Sequence, residues 1–190
     1  MSESGSKFHF ILPVWGSSYV EVYLNVVLAT QLSDGNLGAV PLEGARYKIY
    51  TTAADELTIR QSPAFQALAR RITVDFVAID DLLRDAEWAR TNDSQVQYFA
   101  PMNTIHRMAI TDAARDPAVC LVFLMPDLIL ADGTLRFVAE AARQGKRAVM
   151  VYTLRADLDA CRAALVRETS IESGSKRTVP PRLLVDLMLR

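Results

Sequence analysis

Two acids in the stretch Leu121-Val-Phe-Leu-Met-Pro-Asp-Leu-Ile-Leu-Ala-Asp-Gly-Thr134 have the spacing for chemistry. An apolar run with strand character delivers Asp127 at its carboxyl end, and Asp132 follows just before a helical pattern. A carboxylate so placed suits a divalent cation that bridges a diphosphate, because hard oxygen ligands match Mg²⁺ or Mn²⁺. Plainer roles stand beside these. A proline before an acid is ordinary turn chemistry, which covers Asp127. Asp132 precedes Gly133-Thr134 and fits a helix N-cap.

Other residues carry paired readings. Asp80 and Asp81 end an apolar run, where they either bind ribose hydroxyls or form a solvated turn. The guanidinium of Arg107 can fork onto two phosphate oxygens, or simply stay at the surface as most charged residues do. His106 flanks an apolar stripe beside Met102, which suits a half-buried ring with satisfied nitrogens better than a ligand. Trp15 either stacks on a nucleobase or packs beside the first strand. The short basic run Ser175-Lys-Arg-Thr178 reads as linker surface. Several signatures are missing from the sequence. There is no G-x-G-x-x-G after the first strand, no Walker A sequence, no Cys/His cluster with zinc spacing and no G-x-S-x-G elbow. A methyltransferase is disfavoured by the same lack of a glycine-rich first loop.

These residues need elements to hold them. Short continuous apolar runs at 8–12, 47–50, 73–79, 119–124 and 147–152 read as strands. Between them lie helical patterns. The first has Tyr19, Val22, Tyr23, Val26, Val27 and Thr30 on one face, with Ser18 and Glu21 as a capping box. A second starts at Ser62-Pro63. Another covers about 96–115, or starts at Pro101, where a proline is tolerated. Further helices are expected at 134–144, 157–167 and 181–190. Strands that are continuously apolar and alternate with helices indicate a mostly parallel sheet covered on both faces, a three-layer α/β fold. In such sheets ligands bind beyond the carboxyl ends of the strands. The search therefore narrows to the loops 13–18, 51–55, 80–81, 125–133 and 153–157. The expected organisation is a disordered tail over 1–7, one α/β domain over 8–167, a linker over 168–180 and a C-terminal helix over 181–190.

Composition sets the outer bounds. The chain has 190 residues, 51% of them hydrophobic and 23% charged, so it can build a packed core. A formal net charge of -1 argues against a nucleic-acid or anionic-lipid binder. Two cysteines are too few for a disulfide scaffold. No stretch reaches the roughly 18 uninterrupted apolar residues of a membrane span, and residues 1–7 lack the pattern of a signal peptide. A soluble cytoplasmic chain with reduced thiols is the expectation.

The order of a strand, a Trp-Gly loop and a helix, then strands ending Ile-Tyr-Thr-Thr and Ile-Asp-Asp, a helix, and finally Val-Phe-Leu-x-Pro-Asp, resembles the nucleotide-sugar-binding half of GT-A glycosyltransferases. The likeness is one of pattern and covers about residues 8–153. It implies a Rossmann-like GT-A fold and a nucleotide-diphospho-sugar donor whose sugar passes to an acceptor that the sequence does not identify. Pro13, Trp15 and Gly16 would line the nucleotide, and Thr51, Thr52 and Asp55 would sit near the base. Asp80 and Arg107 are further candidate contacts. Asp127 matches the last acid of the family's Asp-x-Asp metal motif, and Met125 stands at the position of the first, so a divalent cation is implied by half a motif. No catalytic base is assigned; Asp132 and Asp157 are the candidates for it. The short stretch after Arg155 leaves little room for an acceptor-binding half, which raises an oligomer or a partner subunit. The alternative is a non-catalytic α/β binding module, a degenerate relative.

Overall fold

A computed structural model describes residues 6–84, 94–151, 153, 155–169 and 176–189. Four strands form one parallel sheet: β1 (Lys7–Pro13), β2 (Arg46–Thr51), β3 (Thr73–Ala78) and β4 (Val119–Phe123), in the order β3-β2-β1-β4. The central strand β1 pairs Phe10 with Tyr47 on one side and with Val122 on the other. With helices on both sides, this is the three-layer α/β arrangement expected from the apolar runs.

The helices follow the strand alternation. Phe8, Phe10 and Leu12 of β1 and Tyr47 and Ile49 of β2 point into the larger apolar core. That face is covered by the helical run α1 (Ser17–Val22), a π-helical turn (Tyr23–Val27) and α2 (Leu28–Gln31), and by α4 (Pro63–Ala69). A separate helix, α3 (Ala53–Gln61), leads into α4. Ile11 and Tyr50 point the other way, into a smaller core with Ile79. The long helix α6 (Ser94–Ala113) closes that core with Ile105 and Ala109 and carries Pro101 within it. The short α5 (Asp80–Arg84) adds Leu82 and Leu83. After β4 come α7 (Thr134–Arg143), α8 (Leu158–Glu168) and α9 (Pro181–Met188), all of which contribute to the larger core.

Several sequence expectations are corrected. Residues 147–151 are exposed and form no strand; Met150 is 95% exposed. Position 152 lies outside the described residues. The reason is topological. The crossovers from β1 to β2 and β3 keep their helices on the larger-core face, and α6 crosses back to β4 on the other. Because α7 packs on the larger-core face, a parallel strand beyond β4 would need a left-handed crossover, which folds almost never use. The first helix also departs from its 3.6-residue stripe. Tyr19 is 42% exposed and Val20 is buried, while Tyr23, Val26, Val27 and Thr30 are buried as expected, and the π turn inserts a residue into the run after Val22. In that turn Leu28 N donates to Tyr23 O, five residues back. No capping box forms at Ser18; the N-cap is Gly16, at φ +83° and without a side-chain cap. Cys120 and Cys161 are both free thiols. Among the described residues no helix is long and apolar enough to cross a membrane.

Candidate functional site

The strand order places a topological switch point between β1 and β4. The chain leaves β1 toward β2 on one face and enters β4 from the other, and in α/β sheets ligands bind beyond the strand ends at such a point. Local chemistry ends the β1–β4 pairing there. The β1–β4 ladder ends with Leu124 N donating to Ile11 O at 2.8 Å. Pro13, buried at the end of β1, has no amide hydrogen with which to extend it. On the β2 side the ladder runs one step further, with Val14 N donating to Tyr50 O at 2.9 Å.

The loop after β1 carries Trp15, half-buried against the smaller core, and then exposed Gly16, Ser17 and Ser18. Gly16 needs to be glycine because of its positive φ, not for want of room: a Cβ there would meet nothing within 4 Å. The loop is held from the side by Asp55. Its Oδ2 accepts from Gly16 N at 2.9 Å and from Thr52 Oγ1 at 2.8 Å. Thr52 in turn caps α3, its Oγ1 accepting from Asp55 N at 3.1 Å. Asp80 Oδ2 accepts from Ala53 N at 3.0 Å, which ties the loop after β3 to the same helix start. Thr51 is fully buried, and its Oγ1 has no partner among the described residues. Thr52, Asp55 and Asp80 are thus the frame of the β1 and β2 loops.

Across the switch point, the loop after β4 runs from half-buried Met125 and buried Pro126 to exposed Asp127. The turn is closed by Leu128 N donating to Met125 O at 3.3 Å. The Asp127 carboxylate has no partner among the described residues. Asp132 is engaged elsewhere. It is not the cap of α7; its Oδ1 accepts from Gly35 N at 2.9 Å, and a Cβ at Gly35 would overlap the carboxylate. The cap comes from a distant loop, since fully buried Asn36 accepts from Leu135 N at 3.0 Å. Asn36 Nδ2 also donates to Thr30 O at 2.8 Å and Ala131 O at 3.1 Å. Asp157 caps α8, its Oδ1 accepting from Ala160 N at 2.8 Å.

Arg107 does not lie in a strand-end loop. It is exposed on α6, in an open groove of about 350 Å³ with Thr104, Met108, Thr111, Asp112 and Arg115. His106, on the neighbouring face of α6, lies with its ring 4.7 Å from that of Phe123. Its Nε2 is buried without a partner among the described residues, and burial lowers its pKa.

Two polar features escaped the sequence reading. Fully buried Tyr23 donates to Tyr47 at 3.2 Å, and Tyr47 donates to Gln31 Oε1 at 2.6 Å. Burial drives both phenol pKa values upward. The other is Arg177, 7% exposed and far from the linker surface expected of a Lys-Arg pair. Nothing in their local spacing marks these residues, because their partners are distant in sequence. No protein-family model matches the chain, and no curated protein shows significant similarity to it.

Proposed function

We propose that the chain binds a nucleotide-diphospho-sugar across the carboxyl ends of β1, β2 and β4 and acts in glycosyl transfer. The observation that carries this reading is the pair of loops that flank the β1–β4 switch point. One side is an open, uncapped Gly16 turn braced by Asp55, and the other is the partnerless carboxylate of Asp127. Each part has a task. The half-buried ring of Trp15 offers a flat apolar surface to a nucleobase. The uncapped first turn of α1 presents amide donors to phosphate oxygens, where the helix dipole also favours negative charge. Thr52, Asp55 and Asp80 act through the backbone they hold rather than by touching the donor. Arg107 has no part in this arrangement.

The residues fit a divalent cation in one way. Mg²⁺ is commonly bound by one or two carboxylates completed by substrate phosphates, and Asp127 supplies one. Among the described residues there is no group of three His, Cys, Asp or Glu side chains that could hold a metal, so cation binding would depend on the diphosphate. When bound there, the cation would supply charge neutralisation to a leaving diphosphate.

A second reading, a binding module without turnover, is favoured by one observation. Asp55, Asp80, Asp132 and Asp157 each carry a structural hydrogen bond, so none of these acids is free to act as a base. Thermal unfolding with uridine and guanosine diphospho-sugars, with and without Mn²⁺, tests both readings. A ligand at a hundred times its dissociation constant stabilises by about 2.7 kcal/mol. The expected result is a rise in melting temperature that Trp15→Ala removes and that Asp127→Ala uncouples from Mn²⁺. No shift with any nucleotide at millimolar concentration sinks the reading. Binding without donor hydrolysis or transfer selects the module.

A further inference from the structure

Away from the strand ends, the helical run after β1 and α8 line a groove of about 240 Å³. Its lining is Glu21, Asn25 and Val26 from the first run, Arg162, Leu165 and Val166 from α8, and Arg177. None of these residues belongs to the strand-end loops.

Arg177 is the unusual member. Its side chain is nine-tenths buried, yet among the described residues no carboxylate pairs with it. What it has instead are neutral oxygens. Nη1 donates to Leu165 O at 2.7 Å and to Thr169 Oγ1 at 2.8 Å, and its backbone N donates to Ala29 O at 2.7 Å. Leu165 lies in the last turn of α8, whose negative dipole end offsets part of the cost of burying a cation. A guanidinium has five N–H donors, and Nη1 accounts for two. Nε and Nη2 make no described hydrogen bond. The groove also holds a second guanidinium, Arg162, whose nearest acid is Glu21 at 3.5 Å. Two cations and one carboxylate leave the lining with a net positive charge, in a place where a buried cation lacks a counter-ion.

We infer that this groove binds an oxyanion, a phosphate or carboxylate group, forked by Arg177 and flanked by Arg162 and Asn25. Guanidinium donors match the oxygen spacing of both groups in bidentate fashion. The apolar wall of Val26, Leu165 and Val166 accommodates a small hydrocarbon part next to the anion. The site stands independently of the nucleotide reading, since it shares no residue with the strand-end loops.

The test uses the full chain and three titrants at matched ionic strength: inorganic phosphate, acetate and chloride. A saturable rise in melting temperature with phosphate or acetate, beyond that with chloride, is expected, and the better of the two identifies the head group. Arg162→Glu, at a partly exposed position, should weaken binding by about tenfold or more, the worth of a charge-assisted hydrogen bond. Arg177→Lys keeps the charge but loses the fork and should also weaken binding. If circular dichroism shows that this variant misfolds, Arg162→Glu and Asn25→Asp carry the test. The proposal is overturned if neither oxyanion stabilises the protein beyond chloride, or if Arg162→Glu binds as the unmodified chain does.

Discussion

The two faces of the sheet are sealed by different means. On one, Phe8, Phe10, Leu12, Tyr47 and Ile49 meet the first helical run, α4, α7, α8 and α9 in a continuous apolar core, with the Phe10 and Tyr47 rings stacked at 5.9 Å. On the other, Ile11, Tyr50 and Ile79 meet chiefly α6. Toward the amino ends of the strands this second face turns polar. Lys48 pairs with Asp112 of α6, Arg46 pairs with Asp75 within the sheet, and His9 lies close enough to feel Lys48 and Asp112. The same strands thus present a deep hydrophobic layer on one side and a thin layer edged with charge on the other. Apolar burial is worth about 1.5–3 kcal/mol per large side chain, whereas ion pairs with an exposed partner are worth about 0–1 kcal/mol. Stability should therefore be concentrated on the first face, and sensitivity to conditions on the second.

The largest test of this contrast is a pair of truncations. Phe10→Ala should cost about 3–5 kcal/mol, and Ile105→Ala about 2 kcal/mol, because a single covering helix can resettle over its cavity. Denaturant midpoints for the two variants would measure the difference; equal losses would erase the distinction between the faces.

Acid should act on the second face first. The pKa values of His9 and His106 are lowered, mainly by burial, so the folded state disfavours their protonated forms. Their contribution to stability is present above the unfolded value of about 6.5 and is lost as pH falls toward the lower folded values. The Asp112 carboxyl is held below its ordinary value by the hydrogen bond from Lys48, so its contribution is present above pH 4 or so and is lost on further acidification. Hydrogen exchange followed from about pH 7.5 to 5 should show α6 amides losing protection before those of α1 and α2. Simultaneous loss on both faces would contradict the contrast.

The smallest effect is expected at the ion pair itself. Lys48→Met should change stability by under about 1 kcal/mol, and added salt should narrow the gap between the variant and the parent chain. A loss as large as that of Ile105→Ala would show that the charged edge seals the face as firmly as the apolar contacts do.

The sequence made the four strands legible nearly to the residue, because each carries a short run dominated by apolar and β-branched residues. What it hid was everything that depends on distant partners. Residues 147–152 have the same apolar character as β4, but strand formation there is decided by the handedness of the connection, which no local pattern carries. Asp132 has the spacing of a cap, yet Asn36, 99 positions from Leu135, does the capping. The stripe expected on the first helix holds at Tyr23, Val26, Val27 and Thr30 and fails only at Tyr19, which is exposed. At the candidate site, Trp15, Gly16 and Asp127 lie at the strand ends where the fold rule puts them. The roles of Thr52, Asp55 and Asp80 as a frame emerge only from the hydrogen bonds that join separate loops.

The segment around Arg177 and Val179 has a consequence for how the chain is assembled. Asp132 N donates to Val179 O at 2.7 Å, Arg177 N donates to Ala29 O at 2.7 Å, and Val179 is fully buried. A ribosome adding about 5–20 residues per second delivers Val179 some seconds after β4 has been made. Throughout that interval the sheet can be complete while the Asp132 amide and the Ala29 carbonyl still await their partners and the core lacks Val179. The nascent protein therefore passes through an open-seamed stage, in which the last stitch is drawn by residues made long after the sheet they fasten.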